Sequence, residues 1–203
     1  MPIPSDWDKS SLLTGYWFLN QGRRWEPTNE LATFLEEGSP PVYIGFGSTA
    51  PDPQGSRAAA LAVLKGLGLR GVLATGRSGM AGPQVIEIEG APHDWLFPRM
   101  AAVVHHGGAG TTAEGLRAGK PTAVFPSNLG DQLFWGRRVH DLGVGPKPIP
   151  QKKLTTERLA AAIRVVTENK RMRSLAEELG KGIRAENGVA RAVEIIGKVR
   201  RTS

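Results

Sequence analysis

The stretch VVHHGGAGTTAEGL, residues 103–116, decides how the rest of the chain is read. A short apolar run meets two histidines and three glycines, and helix-compatible residues follow. A buried strand that leads directly into a helix is typical of parallel sheets in α/β proteins. Unpaired N–H groups and a positive dipole at such a helix start favour an anion, and glycine lets the backbone approach it closely. We interpret residues 107–112 as a phosphate-binding turn at the carboxyl end of a strand.

Other interpretations of the same stretch stay open. Thr111 and Glu114 have the T-x-x-E spacing of a capping box, in which Glu114 would only accept a backbone hydrogen bond. The glycines could also mark nothing more than a tight turn. The pattern differs from G-x-x-x-x-G-K-[ST], which argues against a P-loop NTPase. Because neighbouring strand residues face opposite ways, only one of His105 and His106 can face a ligand, and we expect His105 to pack inside.

Strand and helix patterns alternate on both sides of this stretch. The predicted strands are PPVYIGFGS, GVLATG, VIEIEG, AAVVHH and TAVFP. The predicted helices are TNELATFLEEG, SRAAALAVLKGLG beginning at Ser56, DQLFWGRRVHDLG ending at Gly143, and most of the chain after Thr155, with Leu159, Ile163 and Val166 on one face. This order predicts an α/β fold with a Rossmann-like parallel sheet covered by helices. Residues 1–27 are interpreted as an approach segment and residues 28–203 as the domain.

Composition limits the classes of protein that fit. The chain has 203 residues, 40% of them hydrophobic, which is enough for one domain with a substantial core. Its formal charge of +7 suits an anionic ligand, and no pattern typical of nucleic-acid binding accompanies it, so we expect no nucleic-acid partner. We see no apolar run that could span a membrane, no signal-peptide pattern and no cysteine. We therefore expect a cytoplasmic protein that could contact a membrane peripherally.

A longer region carries a family resemblance. Residues 91–145 read APHDWLFPRMAAVVHHGGAGTTAEGLRAGKPTAVFPSNLGDQLFWGRRVHDLGVG. The elements PHDWLFP and HHGGAGTT, followed by LRAGKPT and GDQ, resemble the donor-binding region of family 1 glycosyltransferases. PPVYIGFGS and GVGPKPI fit the same family, and its sterol- and antibiotic-glycosyltransferase branches are the most similar. The resemblance implies that this domain is the C-terminal half of a GT-B fold and binds a nucleoside-diphosphate sugar.

The resemblance also implies the roles of individual residues. The diphosphate would contact a histidine, a serine and the glycine-rich turn, which are His106, Ser48, Gly108, Gly110, Thr111 and Thr112. Glu114 would accept hydrogen bonds from the ribose hydroxyls, since a carboxylate suits two vicinal hydroxyls. Ala91 and His93 would lie beside the base, and Asp131 with Gln132 would bind the sugar hydroxyls. No metal is implied, because protein donors would stabilise the leaving diphosphate, and no cofactor is implied, because the UDP-sugar is itself a substrate.

Three departures from the family pattern affect the site. Many members have two aromatic residues before GDQ, at the sugar and acceptor edge, where this chain has Asn128 and Leu129. Gly90 occupies the place where the plant-type signature has a tryptophan that stacks on uracil. Many members carry a Trp-Gly pair after an earlier strand, where this chain has TGRSG. Arg77 in that sequence either supplies positive charge near the donor or is a surface residue, and from the sequence we favour the surface residue.

The resemblance implies an inverting transfer of a hexose, glucose in our interpretation, from a UDP-sugar to a hydroxyl of a lipophilic acceptor such as a sterol or natural product. The general base and most of the acceptor pocket would belong to an N-terminal domain, in cis or as a separate subunit. No catalytic residue is therefore expected in this chain, and the isolated chain should be inactive in transfer. The alternatives are a module that binds UDP or a UDP-sugar without transfer, and half of a sugar-nucleotide epimerase.

Overall fold

The structure is a computed structural model that describes residues 7–8, 10–47, 53–127 and 130–202. Its centre is a six-stranded sheet in the order β3-β4-β2-β1-β5-β6. The strands are β1 Val42–Gly45, β2 Gly71–Ala74, β3 Gly79–Gly82, β4 Val85–Ile88, β5 Ala102–His105 and β6 Thr122–Val124. The helices are α1 Asn29–Glu36, α2 Pro53–Leu67, α3 His93–Leu96, α4 Ala109–Arg117, α5 Gln132–Asp141, α6 Thr156–Glu168, α7 Lys170–Ala185 and α8 Gly188–Thr202.

The sheet confirms the predicted α/β class and is parallel except at one edge. All residues of β1, β4, β5 and β6 are buried, as expected for strands covered by helices on both faces. The edge strand β3 pairs antiparallel with β4 and is not among the predicted strands. Its sequence GMAG has neither alternation nor β-branched residues, so nothing in its local pattern indicates a strand.

Two apolar layers cover the two faces of the sheet. One lies beneath α2 and α6 and includes the predicted stripe of Leu159, Ile163 and Val166, all fully buried. The other lies beneath α1 and α3 and is centred on Phe97, Leu96 and Met100. In both layers the strands present β-branched and aliphatic side chains to helices, which is the packing that fixes a doubly covered sheet.

Most predicted helix limits agree with the structure. α1 follows Thr28, whose hydroxyl accepts the Leu31 N–H, and α5 is followed by Gly143 in the left-handed region. α2 begins at Pro53, earlier than the expected start at Ser56. No helix in the described ranges is long and apolar enough to cross a membrane.

The described part of the approach segment runs along the domain surface. Gly22 donates its N–H to both carboxylate oxygens of Asp94 in α3, at 3.0 and 2.9 Å. The ring of Tyr16 lies 6.3 Å from that of Trp135 in α5. The segment therefore passes close to the start of α4, where the functional residues were predicted. The division at residue 27 stays a prediction.

Candidate functional site

The turn between β5 and α4 places a helix N-terminus at the carboxyl edge of the sheet. β5 ends at His105, Gly108 is the N-cap residue, and α4 begins at Ala109. The N–H groups of the first helical turn have no acceptor within the helix and point along its axis into the space beyond the sheet. Gly107 has a φ of +94°, and a Cβ there would lie 2.8 Å from the backbone oxygen of Gln132. Only glycine fits this turn.

The capping-box interpretation is wrong. Because α4 begins at Ala109, Thr111 lies inside the first turn instead of before it. Gly108 supplies no capping side chain, and Glu114 lies 3.6 Å from Arg117 in an ion pair along the helix. The side chain of Glu114 is therefore displayed beside the helix, and its carboxylate is half-buried. Burial raises its pKa, while the nearby Arg117 opposes that rise.

His105 and His106 divide as predicted. His105 is fully buried, and its Nδ1 accepts the Gly107 N–H at 2.9 Å, which holds the turn in place. Burial lowers the pKa of His105 to about 3, with the neighbouring His106 and His93 adding to the effect. His105 is therefore neutral near pH 7, with Nδ1 as the acceptor.

His106 faces outward and is held between two glycines. A Cβ on Gly108 would lie 2.7 Å from Nε2 of His106, and one on Gly47 would lie 3.2 Å from its Nδ1. Nδ1 is buried and has no hydrogen-bond partner within the described ranges. The ring of His106 fits between these two positions, at the mouth of a cavity, because neither residue has a side chain.

That cavity, called here the edge cavity, has a volume of about 570 Å³ and follows the carboxyl edge of the sheet. It lies above the ends of β1 and β2 and beside the start of α2, and residues 45–47 and 74–77 are in its wall. His106, Thr111 and His93 complete the wall on the side of α4. In open parallel sheets this edge is where ligands bind.

A second cavity of about 360 Å³, the segment cavity, lies between α4 and the approach segment. Residues 16–21 form one wall, and Gly110, Thr111 and Glu114 form another. His93 and Thr111 belong to both cavities, so the two meet at the N-terminus of α4. The structure thus brings together five of the predicted site residues: His93, His106, Gly110, Thr111 and Glu114.

Other predicted residues are engaged elsewhere. Thr112 is fully buried, and both its N–H and its hydroxyl donate to Gly108 O at 2.9 Å, so it supports the turn from inside. Gln132 is buried, and its Oε1 accepts the N–H and the hydroxyl of Ser127 at 2.8 and 2.7 Å. Asp131 accepts the Trp135 indole N–H at 2.5 Å.

Three predicted residues remain, and two of them, Ala91 and His93, pack against the apolar layer around α3. Ala91 packs against the apolar layer beneath α3. His93, two residues later, stacks on Phe97 with ring centres 4.3 Å apart and has the edge of Tyr43 near it. Burial lowers the pKa of His93. Ser48 lies outside the described residues.

Sequence reasoning missed two features of the edge cavity. Tyr43 reaches its wall from β1, and burial raises the pKa of that phenol to about 12. Arg57 of α2 donates two hydrogen bonds, of 2.6 and 2.8 Å, to the carboxylate of Glu87 in β4. A signal for this pair was present, because Glu87 is a charged residue within the otherwise apolar strand VIEI, and a buried charge needs a partner.

Comparison with solved structures shows a glycosyltransferase-like fold. The glycotransferase of kitacinnamycin superposes with a TM-score of 0.69 at 24% identity, covering 90% of this chain and 46% of that one. The glycosyltransferase VinC, solved in complex with dTDP, gives 0.69 at 23% identity, covering 83% and 44%. At these identities the likeness establishes the fold alone.

Sequence comparison defines the family. Residues 78–199 match the family described as Erythromycin biosynthesis protein CIII-like, C-terminal domain, and the chain belongs to that family. Sterol 3-beta-glucosyltransferase UGT80B1 of Arabidopsis thaliana is 45% identical over 201 residues, covering 96% of this chain. A sterol 3-beta-glucosyltransferase of Neosartorya fischeri is 41% identical over 213 residues, covering 97%. The chain spans only 32% and 15% of the lengths of these two relatives.

Proposed function

We propose that this chain is the donor-binding part of an inverting glycosyltransferase that transfers a hexose, glucose in our interpretation, from a UDP-sugar to a hydroxyl of a lipophilic acceptor. The observation that carries the proposal is the turn at residues 106–108, which aims the N-terminus of α4 at the meeting point of two cavities. The names of the relatives, which are sterol glucosyltransferases, support a sterol or a similar natural product as the acceptor.

In this proposal the diphosphate lies against the first turn of α4. The N–H groups of Gly110 and Thr111, with His106 at the cavity mouth, donate hydrogen bonds to its oxygens. The hydroxyl of Thr111 adds a further donor, while Thr112 acts indirectly by fixing Gly108. Ser48 keeps its proposed role from the resemblance. These donors are fixed before the reaction, so they stabilise negative charge without reorganisation.

The nucleoside and the sugar extend from the diphosphate in different directions. Glu114 accepts hydrogen bonds from the ribose hydroxyls in the segment cavity, and Ala91 with His93 lies beside the base. Asp131 and Gln132 are proposed for the sugar. Gln132 would bind through its amide NH₂, because its Oε1 already accepts two hydrogen bonds from Ser127.

The transfer step needs a base that this chain does not supply in our proposal. A base in an N-terminal domain takes the proton of the acceptor hydroxyl, and the acceptor oxygen attacks the anomeric carbon. The bond from that carbon to the diphosphate oxygen breaks, and its electron pair stays on the diphosphate. The helix N-terminus and His106 stabilise this leaving group, so no metal or cofactor enters the proposal.

An acceptor domain and a peripheral membrane contact remain part of the proposal, as does a cytoplasmic location. Several large apolar side chains support a covering partner, since Trp17, Leu19, Phe134, Val193 and Ile196 are all more than half exposed. Apolar exposure of this extent is typical of interaction surfaces.

The test is calorimetric titration of the chain with UDP, UDP-glucose and TDP. We expect saturable binding that His106→Ala weakens by about 1–3 kcal/mol, the range for losing a partner of a charged group. The matched control is His140→Ala. His140 lies in α5, where its Nδ1 is 3.4 Å from the backbone oxygen of Gly145, and this variant should bind the nucleotides as the wild type does. Absence of saturable binding for all three nucleotides would contradict the proposal.

A further inference from the structure

Two arginines lie in the wall of the edge cavity, and they differ in what they contact. Arg57 of α2 has both its Nε and one NH₂ group hydrogen-bonded to the buried carboxylate of Glu87. Arg77 follows the carboxyl end of β2 and is exposed. Within the described ranges Arg77 forms no hydrogen bond or ion pair. Its charge acts on Glu87 only at longer range.

The charge balance of the cavity leaves a role for this arginine. A nucleoside diphosphate brings strong negative charge, and the N-terminus of α4 offers about half of one elementary positive charge. His105 and His93 add none near pH 7, because burial lowers both pKa values. Arg57 is already neutralised by Glu87, and the exposed Glu89 in the same wall adds a negative charge. Arg77 is the full positive charge in this wall that has no partner among the described residues.

The position of Arg77 also suits a ligand held at α4. β2 is separated from β5 by β1 alone. Since neighbouring strands lie about 4.8 Å apart, the carboxyl ends of β2 and β5 are about 10 Å apart. The edge cavity spans that gap, with Arg77 in its wall at one end and His106 with Thr111 at the other. The planar fork of a guanidinium matches two phosphate oxygens at once.

We propose that Arg77 binds the diphosphate of the donor from the side opposite α4 and neutralises the charge that develops there as the diphosphate leaves. This inference rests on the proposed function. Arg77 lies in TGRSG, the sequence that this chain has where the family resemblance implies a Trp-Gly pair in many members. Arg77 thus offers the diphosphate a cationic contact in addition to the N–H and hydroxyl groups of the turn.

The experiment compares three ligands and four proteins by calorimetry. UDP carries base, ribose and diphosphate, pyrophosphate carries only the charged group, and uridine lacks it. Arg77→Gln should weaken UDP and pyrophosphate by about ten-fold or more and leave uridine unchanged. Arg77→Lys keeps the positive charge but loses the planar guanidinium, so its affinities for UDP and pyrophosphate should lie between those of the wild type and Arg77→Gln. Arg171→Gln, on the exposed start of α7, removes the same charge away from both cavities and should bind UDP like the wild type.

The results distinguish failure of this inference alone from failure of the proposed function. If Arg77→Gln binds UDP and pyrophosphate as tightly as the wild type, the role of Arg77 is wrong and the donor site stands. If uridine binding falls as much as UDP binding, the arginine acts on the nucleoside or the fold, and the inference is again wrong. If the wild type binds neither UDP nor pyrophosphate, the proposed function fails together with the inference.

Discussion

The guanidinium of Arg117 lies 3.6 Å from the carboxylate of Glu114, three residues earlier in α4. The same guanidinium donates a hydrogen bond to the side-chain oxygen of Asn20 and lies 4.3 Å from the ring centre of Phe18. One side chain therefore joins the proposed ribose-binding carboxylate to the approach segment. Arg117 therefore acts on the pKa of Glu114 and also ties α4 to residues 18–20, which line the segment cavity together with Glu114.

Arg117→Met should therefore change how nucleotide binding depends on pH. Burial raises the pKa of Glu114 and Arg117 opposes the rise, so removing Arg117 moves that pKa further up. Ribose binding in our proposal needs the ionised carboxylate. The affinity for UDP should fall as the pH is lowered, and in Arg117→Met the fall should begin at a higher pH.

Calorimetry with UDP between about pH 4.5 and about pH 8 measures this shift. Arg117→Lys keeps a positive charge and should stay closer to the wild type. Glu114→Gln should bind weakly at every pH and lose this part of the pH dependence. Identical profiles for the wild type and Arg117→Met would show that Arg117 does not control Glu114.

Gly108→Ala tests the packing of the turn. The backbone of Gly108 has φ −60° and ψ 141°, which alanine adopts without strain. Its Cβ, however, would lie 2.7 Å from Nε2 of His106, and Gly47 lies against the Nδ1 edge of the same ring. The ring must shift, so we expect UDP affinity to fall by about ten-fold. Since alanine is a poorer N-cap residue than glycine, the domain should also lose about 1 kcal/mol of stability.

The control for this substitution is Gly182→Ala in α7, where a Cβ would have no neighbour within 4 Å. Alanine favours the helix there by about 1 kcal/mol, so this variant should be slightly more stable and bind UDP normally. Equal UDP affinities for Gly108→Ala and the wild type would mean that the position of His106 does not matter for binding.

The sequence indicated the strand, turn and helix at residues 103–116 because their signals are local. An apolar run, a glycine turn and a helical pattern follow one another along the chain. The capping box failed since Gly108 can itself serve as an N-cap, which starts α4 earlier than the T-x-x-E spacing implies. Strand β3 was missed because its pairing with β4, and not its own residues, makes it a strand.

The side-chain contacts of the site were harder to predict than its backbone. Arg57 and Glu87 are 30 residues apart in sequence and meet only because α2 packs beside β4. Thr112 and Gln132 were expected to face a ligand. In the folded chain the Thr112 hydroxyl donates to Gly108 O, and Oε1 of Gln132 accepts the Ser127 N–H. Spacing along the chain predicts where a helix or strand runs. It does not predict which of several hydrogen-bond partners a hydroxyl or amide side chain takes.

His105 should make the stability of the domain fall in mild acid. Its pKa is about 3 in the folded state, below the ordinary value of 6.5 that applies when it is unfolded. The unfolded chain therefore binds a proton at a pH where the folded chain does not, and stability is lost as the pH falls below 6.5. The loss is about 1.4 kcal/mol per pH unit, or about 2 kcal/mol by about pH 5.

Urea denaturation at about pH 7.5 and about pH 5 measures this loss, and comparison with His105→Asn removes the contribution of all other groups. The amide oxygen of asparagine can still accept the Gly107 N–H, so this variant should fold. It should be less stable than the wild type at neutral pH but lose less stability on acidification. Equal losses for the two proteins would show that His105 titrates normally.

Losing Arg57 should destabilise the domain mainly because it leaves the buried Glu87 carboxylate unpaired. The attraction between the two side chains itself contributes less to stability. Glu87 is 7% exposed, and the hydrogen bonds from Arg57 hold the pKa of its carboxylate below the ordinary value of 4.5. Arg57→Met leaves that carboxylate buried without its main partner. Because the Arg57 side chain is one third exposed, water replaces part of the interaction, and we expect a loss of about 1–2 kcal/mol at pH 7.

The pH dependence of this loss has a definite sign. A lowered carboxylate pKa stabilises the folded state above about pH 4.5, and this contribution disappears as the pH falls through the folded pKa. The difference between the wild type and Arg57→Met, measured by urea denaturation, should therefore shrink towards about pH 3. The double variant Arg57→Met with Glu87→Met removes the unpaired charge and should recover most of the stability, since an apolar pair of similar volume can replace a buried ion pair. A double variant no more stable than Arg57→Met would mean that the shape of the pair, and not the unpaired charge, supports this wall of the edge cavity.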